Sequence, residues 1–165
     1  MKLATRDEST QSGRKGVVPM ISHKGLYKSL KCMIEWTKQC QDRLREEGFE
    51  AHLSPKQWAK EFCSVKFCIS RQSGHTTFAE KLIEEVGLEA LYITSNDSIA
   101  KYTKVPSFNR ATPASIERGK FKGRRINTLI IDCASLMSQK DIEKVYDAFA
   151  PSSIVEPYFL FLFLE

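Results

Sequence analysis

Apolar residues recur at helical spacing in the first third of the chain, between about residues 24 and 47. They are Leu26, Leu30, Met33, Ile34 and Leu44, with Trp36 and Cys40 widening the stripe. Gly48 then supplies a C-terminal stop. The pattern predicts a long helix that packs one face against the rest of the protein. A helix that binds a partner is the alternative interpretation.

The rest of the chain alternates short apolar runs with helical patterns. Strands are predicted at residues 65–69, 89–94, 127–132 and 158–164. Helices are predicted at residues 55–62, 78–86, 98–102 and 139–149. This alternation indicates an α/β domain with a mostly parallel sheet flanked by helices, preceded by an N-terminal helical extension. The expected division is a flexible arm at 1–20, a helix at 21–50 and the α/β domain at 51–165.

The turn between the first predicted strand and the next helix consists mainly of small and polar residues. It reads Ser70-Arg71-Gln72-Ser73-Gly74-His75-Thr76-Thr77. The backbone N–H groups of such a turn, together with a helix N-terminus, form an anion site that suits a phosphate. Thr76 offers a hydroxyl for magnesium, and Asp132 offers an acid at the carboxyl end of another predicted strand. A tight turn with Thr76 and Thr77 as caps, and Asp132 as a turn or cap residue, is the structural alternative.

Three positions depart from the usual phosphate-loop pattern. Ile69 stands where the first glycine is expected, and His75 stands where the lysine is expected. Cys133 follows Asp132 where a catalytic glutamate often follows. Histidine has an ordinary pKa near 6.5, so His75 is mostly neutral at pH 7 and reaches less far than a lysine. We therefore expect weak triphosphate binding that strengthens from pH 8 to pH 6.

Gln57 has two interpretations. As the last residue of a Ser-x-x-Gln capping box that begins at Ser54, it is structural. As a glutamine upstream of a phosphate loop, it hydrogen-bonds an adenine edge with its amide.

The composition is that of a globular protein. The chain has 165 residues, of which 42% are hydrophobic and 27% are charged, and its net charge is +5. Residues 104–126 hold seven basic residues and one acidic residue, so the positive charge belongs to this segment. Lys120, Lys122, Arg124 and Arg125, with Phe121 interleaved, are predicted to lie on a nucleic-acid backbone. A solvated loop is the alternative.

The five cysteines show no metal-type clustering, and their odd number without a signal peptide favours reduced thiols in a cytoplasm. The longest apolar run, residues 158–164, is too short to span a bilayer. We therefore expect a cytoplasmic protein without a membrane partner.

Four motifs resemble a known family in their order along residues 53–164. The turn at Ser70–Thr77 resembles the phosphate loop of phage large-terminase ATPases, Ser-Arg-Gln-x-Gly-Lys-Thr, and loops of superfamily helicases. The segment Leu53-Ser54-Pro55-Lys56-Gln57 resembles their adenine-recognising glutamine segment. Glu117-Arg118-Gly119 resembles the Arg-Gly element before their second motif, and Leu129-Ile130-Ile131-Asp132-Cys133-Ala134 resembles that motif itself.

The resemblance implies a RecA-like P-loop NTPase fold and a viral origin, with the host cytoplasm as location. It implies ATP held by Gln57 and residues 70–77, Mg²⁺ held by Thr76 and Asp132, and Asp132 as the catalytic acid if the site is active. His75 and Cys133 lead us to expect a pseudo-ATPase that acts as a regulator or nucleic-acid-associated factor. The alternatives are an active ATPase or terminase-like motor fragment, and a protein-binding adaptor or inhibitor; a protein partner or homo-oligomer fits each of these.

Overall fold

Five strands and six α-helices alternate along residues 23–68, 74–150 and 160–164, the part of the chain that the computed structural model describes. The strands are β1 (Ser64–Phe67), β2 (Ala90–Ile93), β3 (Arg110–Ala111), β4 (Thr128–Asp132) and β5 (Leu160–Leu164). The helices are α1 (His23–Glu46), α2 (Pro55–Phe62), α3 (His75–Val86), α4 (Asp97–Ala100), α5 (Pro113–Glu117) and α6 (Gln139–Phe149). The predicted arm, residues 70–73 of the predicted phosphate loop and the start of the last predicted strand lie outside the described residues.

The strands form one sheet in the order β1-β5-β4-β2-β3, and every neighbouring pair is parallel. Strand β5 lies between β1 and β4, where Leu162 pairs with Val65 on one side and Ile130 on the other. Helices cover both faces of this sheet, which explains why the central strands are continuous apolar runs. The predicted α/β fold with a mostly parallel sheet is confirmed.

Alternate side chains along β2, β4 and β5 enter two separate half-cores. On one face, α1 and α3 pack against the sheet; this half-core includes Leu30, Phe78, Leu82, Tyr92, Ile130 and Leu162. On the other face, α2, α5 and α6 pack; this half-core includes Trp58, Ile116, Ile131, Val145 and Phe161. The arrangement is a three-layer α/β/α sandwich, in which β4 and β5 contribute to both half-cores.

Helix α1 packs on the sheet through Leu26, Leu30 and Ile34, all of them buried. The expectation that Trp36 widens the buried stripe is wrong, because its side chain is 70% exposed. At about 100° per residue, Trp36 lies about 120° around the helix from Leu30, so it falls outside the buried stripe and borders the groove beside β1.

Short polar side chains begin three of the predicted helices. The side-chain oxygens of Ser54, Asn96 and Ser138 accept hydrogen bonds from backbone N–H groups in the first turns of α2, α4 and α6. Each oxygen satisfies a donor that the helix itself leaves unpaired, so local chemistry alone locates these helix starts.

Strand β3 and helix α5 lie in the charged segment for which the sequence predicted no element. Two strand residues and five helix residues are too few to establish a hydrophobic period. A local signal was present at Thr112-Pro113, because Thr112 forms a capping box with Ser115 and Pro113 occupies the first turn. Such signals predict where a helix begins but not that the sheet has an edge strand beside it.

Helix α3 carries the chain from β1 across β5 and β4 to β2. It contacts β2 and β4 along its length, and its first residue, His75, follows the loop after β1. In a parallel sheet, all strand-to-helix loops leave from the carboxyl edge. The beginning of α3 therefore lies at the same edge of the sheet as the end of β4, where Asp132 is the last residue.

Candidate functional site

Gly74 shapes the entry to α3. It lies at the N-cap position with φ = 92°, a left-handed conformation that glycine adopts without a Cβ penalty. Its carbonyl accepts the N–H of Phe78 and closes the first turn of the helix. The predicted loop residues Ser70, Arg71, Gln72 and Ser73 lie outside the described residues. The described half of the predicted loop is thus a glycine-capped helix N-terminus, with its free N–H groups at the carboxyl edge of the sheet.

Asp132 ends β4 and is buried, with 2% of its surface exposed. The hydroxyl of Thr76 donates to its Oδ2 at 3.3 Å, and the backbone N–H of Cys133 donates to its Oδ1 at 2.9 Å. The hydroxyl of Tyr92, on the adjacent strand β2, also donates to Oδ2. The fold therefore brings Thr76 and Asp132, 56 positions apart, into direct contact.

His75 stands beside this carboxylate. Its Nε2 atom is buried and has no hydrogen-bond partner among the described residues. Burial lowers the pKa of His75 below 6.5, and the charge of Asp132 opposes the shift only in part. The neutral imidazole is therefore the form that the folded protein favours at neutral pH. The helix N-terminus acts in the same direction, because its partial positive charge repels a cation.

Cys133 occupies the position after Asp132. Its backbone is left-handed, with φ = 53°, which is uncommon for a non-glycine residue. This turn aims the N–H of Cys133 back at Asp132. Cys133 carries a thiol where a glutamate would carry a carboxylate, so the residue that follows the acid does not supply the general base that a glutamate would.

Thr77 and Gln57 lie apart from the Asp132 contacts. Thr77 is exposed and lines a groove along the outside of α3 with Glu80 and Lys81. The Oε1 of Gln57 accepts hydrogen bonds from the Ser54 N–H at 3.1 Å and the Ser54 hydroxyl at 3.0 Å. This is the capping box of α2, so the structural interpretation accounts for the geometry of Gln57.

The four predicted nucleic-acid residues fall into two kinds. Lys120, Lys122 and Arg125 are exposed, although the Lys120 ammonium also donates to the Arg110 carbonyl at 3.4 Å and lies over the Phe121 ring. Arg124 instead donates to the carbonyls of Phe108 and of Leu88, the latter at 2.7 Å, and its guanidinium lies over the ring of Phe121.

The Arg124 contacts place residues 120–125 near the amino edge of the sheet, just before β4 begins at Thr128. The four residue steps of β4 from Thr128 to Asp132 span about 13 Å, at about 3.3 Å per residue.

A pocket of about 540 Å³ opens beside Thr76 and Tyr92 at the carboxyl edge of the sheet. It is also lined by Asn96, Ser98, Ile99, Tyr102 and Thr103. The polar groups of this lining are uncharged hydroxyls and an amide, and Tyr102 stands at the surface with 91% of its area exposed. The pocket provides space for a ligand in contact with the Thr76 hydroxyl.

Sequence reasoning missed Tyr92 as a site residue. The strand run Ala90-Leu91-Tyr92-Ile93 reads as core, and 0% of Tyr92 is exposed. A signal was nevertheless available, because a buried phenol needs a hydrogen-bond partner and β2 was already predicted to be a strand of the same sheet.

The predicted magnesium site at Thr76 and Asp132 stays a prediction. Thr76 and Asp132 supply two oxygens in contact, as such a site requires. Both carboxylate oxygens, however, already accept protein hydrogen bonds. Within residues 23–68, 74–150 and 160–164, no group of three or more acidic, histidine or cysteine side chains is arranged to hold a metal ion.

Comparison with protein-family models, with curated proteins and with solved structures finds no match for this chain. In the described part of the chain, no helix combines the length and apolar character needed to cross a membrane. The functional assignment therefore depends on the geometry of the site.

Proposed function

We propose that this protein is a degenerate P-loop NTPase-like domain that binds a nucleotide phosphate weakly, does not hydrolyse it, and acts as a regulator. The observation that carries the proposal is the contact between Thr76 and Asp132 at 3.3 Å. It joins the first turn of a glycine-capped helix to an acid at the end of a parallel strand. This is the edge at which open α/β sheets bind their ligands.

Loss of hydrolysis follows from two positions of the same site. A neutral His75 does not neutralise phosphate charge as a lysine ammonium does. Cys133 provides no carboxylate to activate a water. Removing one preorganised electrostatic group from an active site typically slows the reaction by a factor of about 10²–10³, and here two are replaced.

Nucleotide binding to the full chain tests the proposal. Calorimetric titration with ATP should detect weak binding that Thr76→Ala removes. His75→Lys should raise the affinity about tenfold, since a charge-assisted hydrogen bond contributes about 1.5–3 kcal/mol. Thr77→Ala is the matched control, because this neighbouring threonine is exposed and points into a different groove.

Two results contradict the proposal. If no protein variant binds ATP, including His75→Lys, the helix N-terminus at Gly74 is a structural turn. If the wild-type protein hydrolyses ATP and Thr76→Ala abolishes turnover, the chain is an active ATPase or terminase-like motor fragment, and Asp132 is then a catalytic residue.

Nucleic-acid binding is a second candidate function, favoured by the exposure of Lys120, Lys122 and Arg125 in a segment of net charge +6. Binding through phosphate contacts weakens steeply with salt. Replacing these three residues by glutamine should lower affinity for DNA and reduce the salt slope by about two to three units. The charge-matched control replaces Lys28, Lys101 and Lys140, which are exposed outside the segment.

Arg124 is left out of this test because its guanidinium bonds two carbonyls within the fold. Equal loss of DNA affinity in the control would show that binding follows total charge rather than the segment.

An adaptor role is favoured by an apolar groove of about 450 Å³ between α1 and the edge strand β1. Trp36, exposed by 70%, and Met33 line it together with Val65. A protein complex that survives Thr76→Ala and neutralisation of the basic segment, but is lost in Trp36→Ala, would support this role. A complex indifferent to all three changes would exclude the groove as the contact.

A further inference from the structure

Strand β1 ends the sheet on one side and has a free edge. It lies first in the strand order, and β5 is its neighbour. The carbonyl of Cys63 accepts the N–H of Phe161 on β5. Because the backbone groups of alternate residues in a strand point to the same side, those of Val65 also face β5. The N–H and C=O groups of Ser64 and Lys66 therefore point away from the sheet, to the side on which the described residues add no strand.

Helix α1 presents an uncharged side next to this free edge. Met33 and Trp36 are 36% and 70% exposed, and they line the groove of about 450 Å³ together with residues 64–66 of β1. At about 100° per residue, no charged residue of α1 between positions 25 and 40 lies within about 60° of Trp36. Exposed apolar side chains beside unpaired strand groups are typical of an interface.

A second copy of the chain fits this edge through a two-fold axis perpendicular to the sheet. Such an axis places the two β1 strands antiparallel and keeps both α1 helices on one face of the joined sheet. With Val65 at the axis, Ser64 of each copy lies opposite Lys66 of the other, and this pair exchanges both of its N–H···O=C bonds. The backbone groups that each free edge exposes are then all bonded.

Other symmetric registers are less favourable. Placing Lys66 at the axis sets two like charges opposite each other, which destabilises a strand pair. Placing Ser64 at the axis puts Lys66 opposite Phe62, which belongs to α2 and not to a strand. The register centred on Val65 instead sets each ammonium opposite a serine, and it brings the uncharged side of α1 toward its counterpart in the second copy.

We propose that β1 and the uncharged side of α1 form a self-association surface, through which two copies of this chain join their sheets edge to edge. The inference goes beyond the proposed nucleotide site and does not depend on it. It names the partner for the groove that favours an adaptor role. Because the surface is short, we expect a weak dimer that forms between about 10 µM and about 1 mM.

Sedimentation equilibrium of the full chain, without nucleotide, tests the dimer across that range of concentration. Trp36→Glu should weaken the dimer at least about tenfold, because it places two carboxylates in the apolar contact. Lys66→Pro should weaken it to a similar extent, because it removes an edge donor that β5 does not use. Leu88→Glu is the matched control, since Leu88 is 69% exposed in a different groove.

Hydrogen exchange locates the contact at the level of single residues. When about nine-tenths of the protein is dimeric, the Ser64 and Lys66 amides should exchange about tenfold more slowly than in dilute protein, because they exchange only from the monomer. Amides of β3, at the opposite end of the sheet, should exchange at the same rate at both concentrations.

Three results would overturn the inference. The first is a protein that stays monomeric at about 1 mM, which would leave the groove to a different protein. The second is a dimer that both Trp36→Glu and Lys66→Pro leave intact. The third is a dimer in which the Ser64 and Lys66 amides exchange as fast as in the monomer. If a variant does not fold, the wild-type mass and exchange rates decide the point.

Discussion

At the scale of single residues, Asp132 shows how neutral donors from the described residues satisfy a buried carboxylate. Two hydroxyls and one backbone N–H donate to it, and His75 beside it has a lowered pKa because it is itself partly buried. Placing a second full charge there would require further desolvation. The site therefore favours neutral donors until an anion arrives.

His75 makes protein stability depend on pH in a defined direction. Because its folded pKa lies below the unfolded value of 6.5, the unfolded chain binds more protons in the window below 6.5. The free energy of unfolding should therefore rise with pH from about 5 to about 7. Urea denaturation across this range measures it, and His75→Gln should reduce the slope.

A stability that falls over the same range would contradict this prediction and would indicate a protonated His75 paired with Asp132. The same lowered pKa moves the strengthening of phosphate binding to a lower pH than the range of 8 to 6 expected from an ordinary histidine. Phosphate binding and proton uptake remain linked, since a bound anion favours the imidazolium form.

At the scale of elements, the start of α2 decides between the two interpretations of Gln57. Ser54 and Gln57 form a reciprocal capping box. Ser54→Ala should therefore lower the free energy of unfolding by about 1 kcal/mol, as measured by urea denaturation. Gln57→Ala should act in the same direction, because it removes the other half of the same box.

ATP affinity separates capping from adenine recognition. If Gln57 serves only the cap, Ser54→Ala and Gln57→Ala should leave ATP affinity equally unchanged at a temperature where both variants are folded. A selective loss of affinity in Gln57→Ala would show that its amide contacts the base. Ser54→Ala is the matched control, since it breaks the box and keeps the glutamine.

At the scale of the whole molecule, the last strand in the sequence is central in space. Strand β5 pairs with both β1 and β4, and its side chains enter both half-cores. The two strands that carry the candidate site, β1 before the loop and β4 before Asp132, are therefore held together through β5. The site geometry depends on residues nearly one hundred positions away from the loop.

Leu162 is the residue at which this dependence is best tested. It is fully buried between Val65 and Ile130. Leu162→Ala should lower the free energy of unfolding by about 2–5 kcal/mol, because it leaves a cavity at the centre of the sheet. Lys66→Ala, on the exposed face of the edge strand β1, should change it by about 0.5 kcal/mol or less. If Leu162→Ala and Lys66→Ala lowered the free energy of unfolding equally, in calorimetry or urea denaturation, β5 would not be central in solution.

The sequence by itself determined the helices and strands that depend on interactions between residues close together in the chain. Hydrophobic period, capping residues such as Ser54 and Ser138, and glycine stops predicted most helices and strands and the α/β class, because each signal acts within a few residues. It also placed Thr76 and Asp132 at loop and strand ends. Residues 70–73 of the predicted loop lie outside the described residues and stay a prediction.

Only the tertiary structure decided the contacts that no sequence motif had indicated. The order of the strands, the exposure of Trp36 and the anchoring role of Arg124 arise from contacts between distant segments, for which no local pattern exists. Tyr92 is the sharpest case. From the sequence it is one more core residue of a strand, and only the pairing of β2 with β4 brings its hydroxyl to Asp132. The physical reason is that a side chain's chemistry is set by its neighbours in space, and in a parallel sheet those neighbours are far apart along the chain.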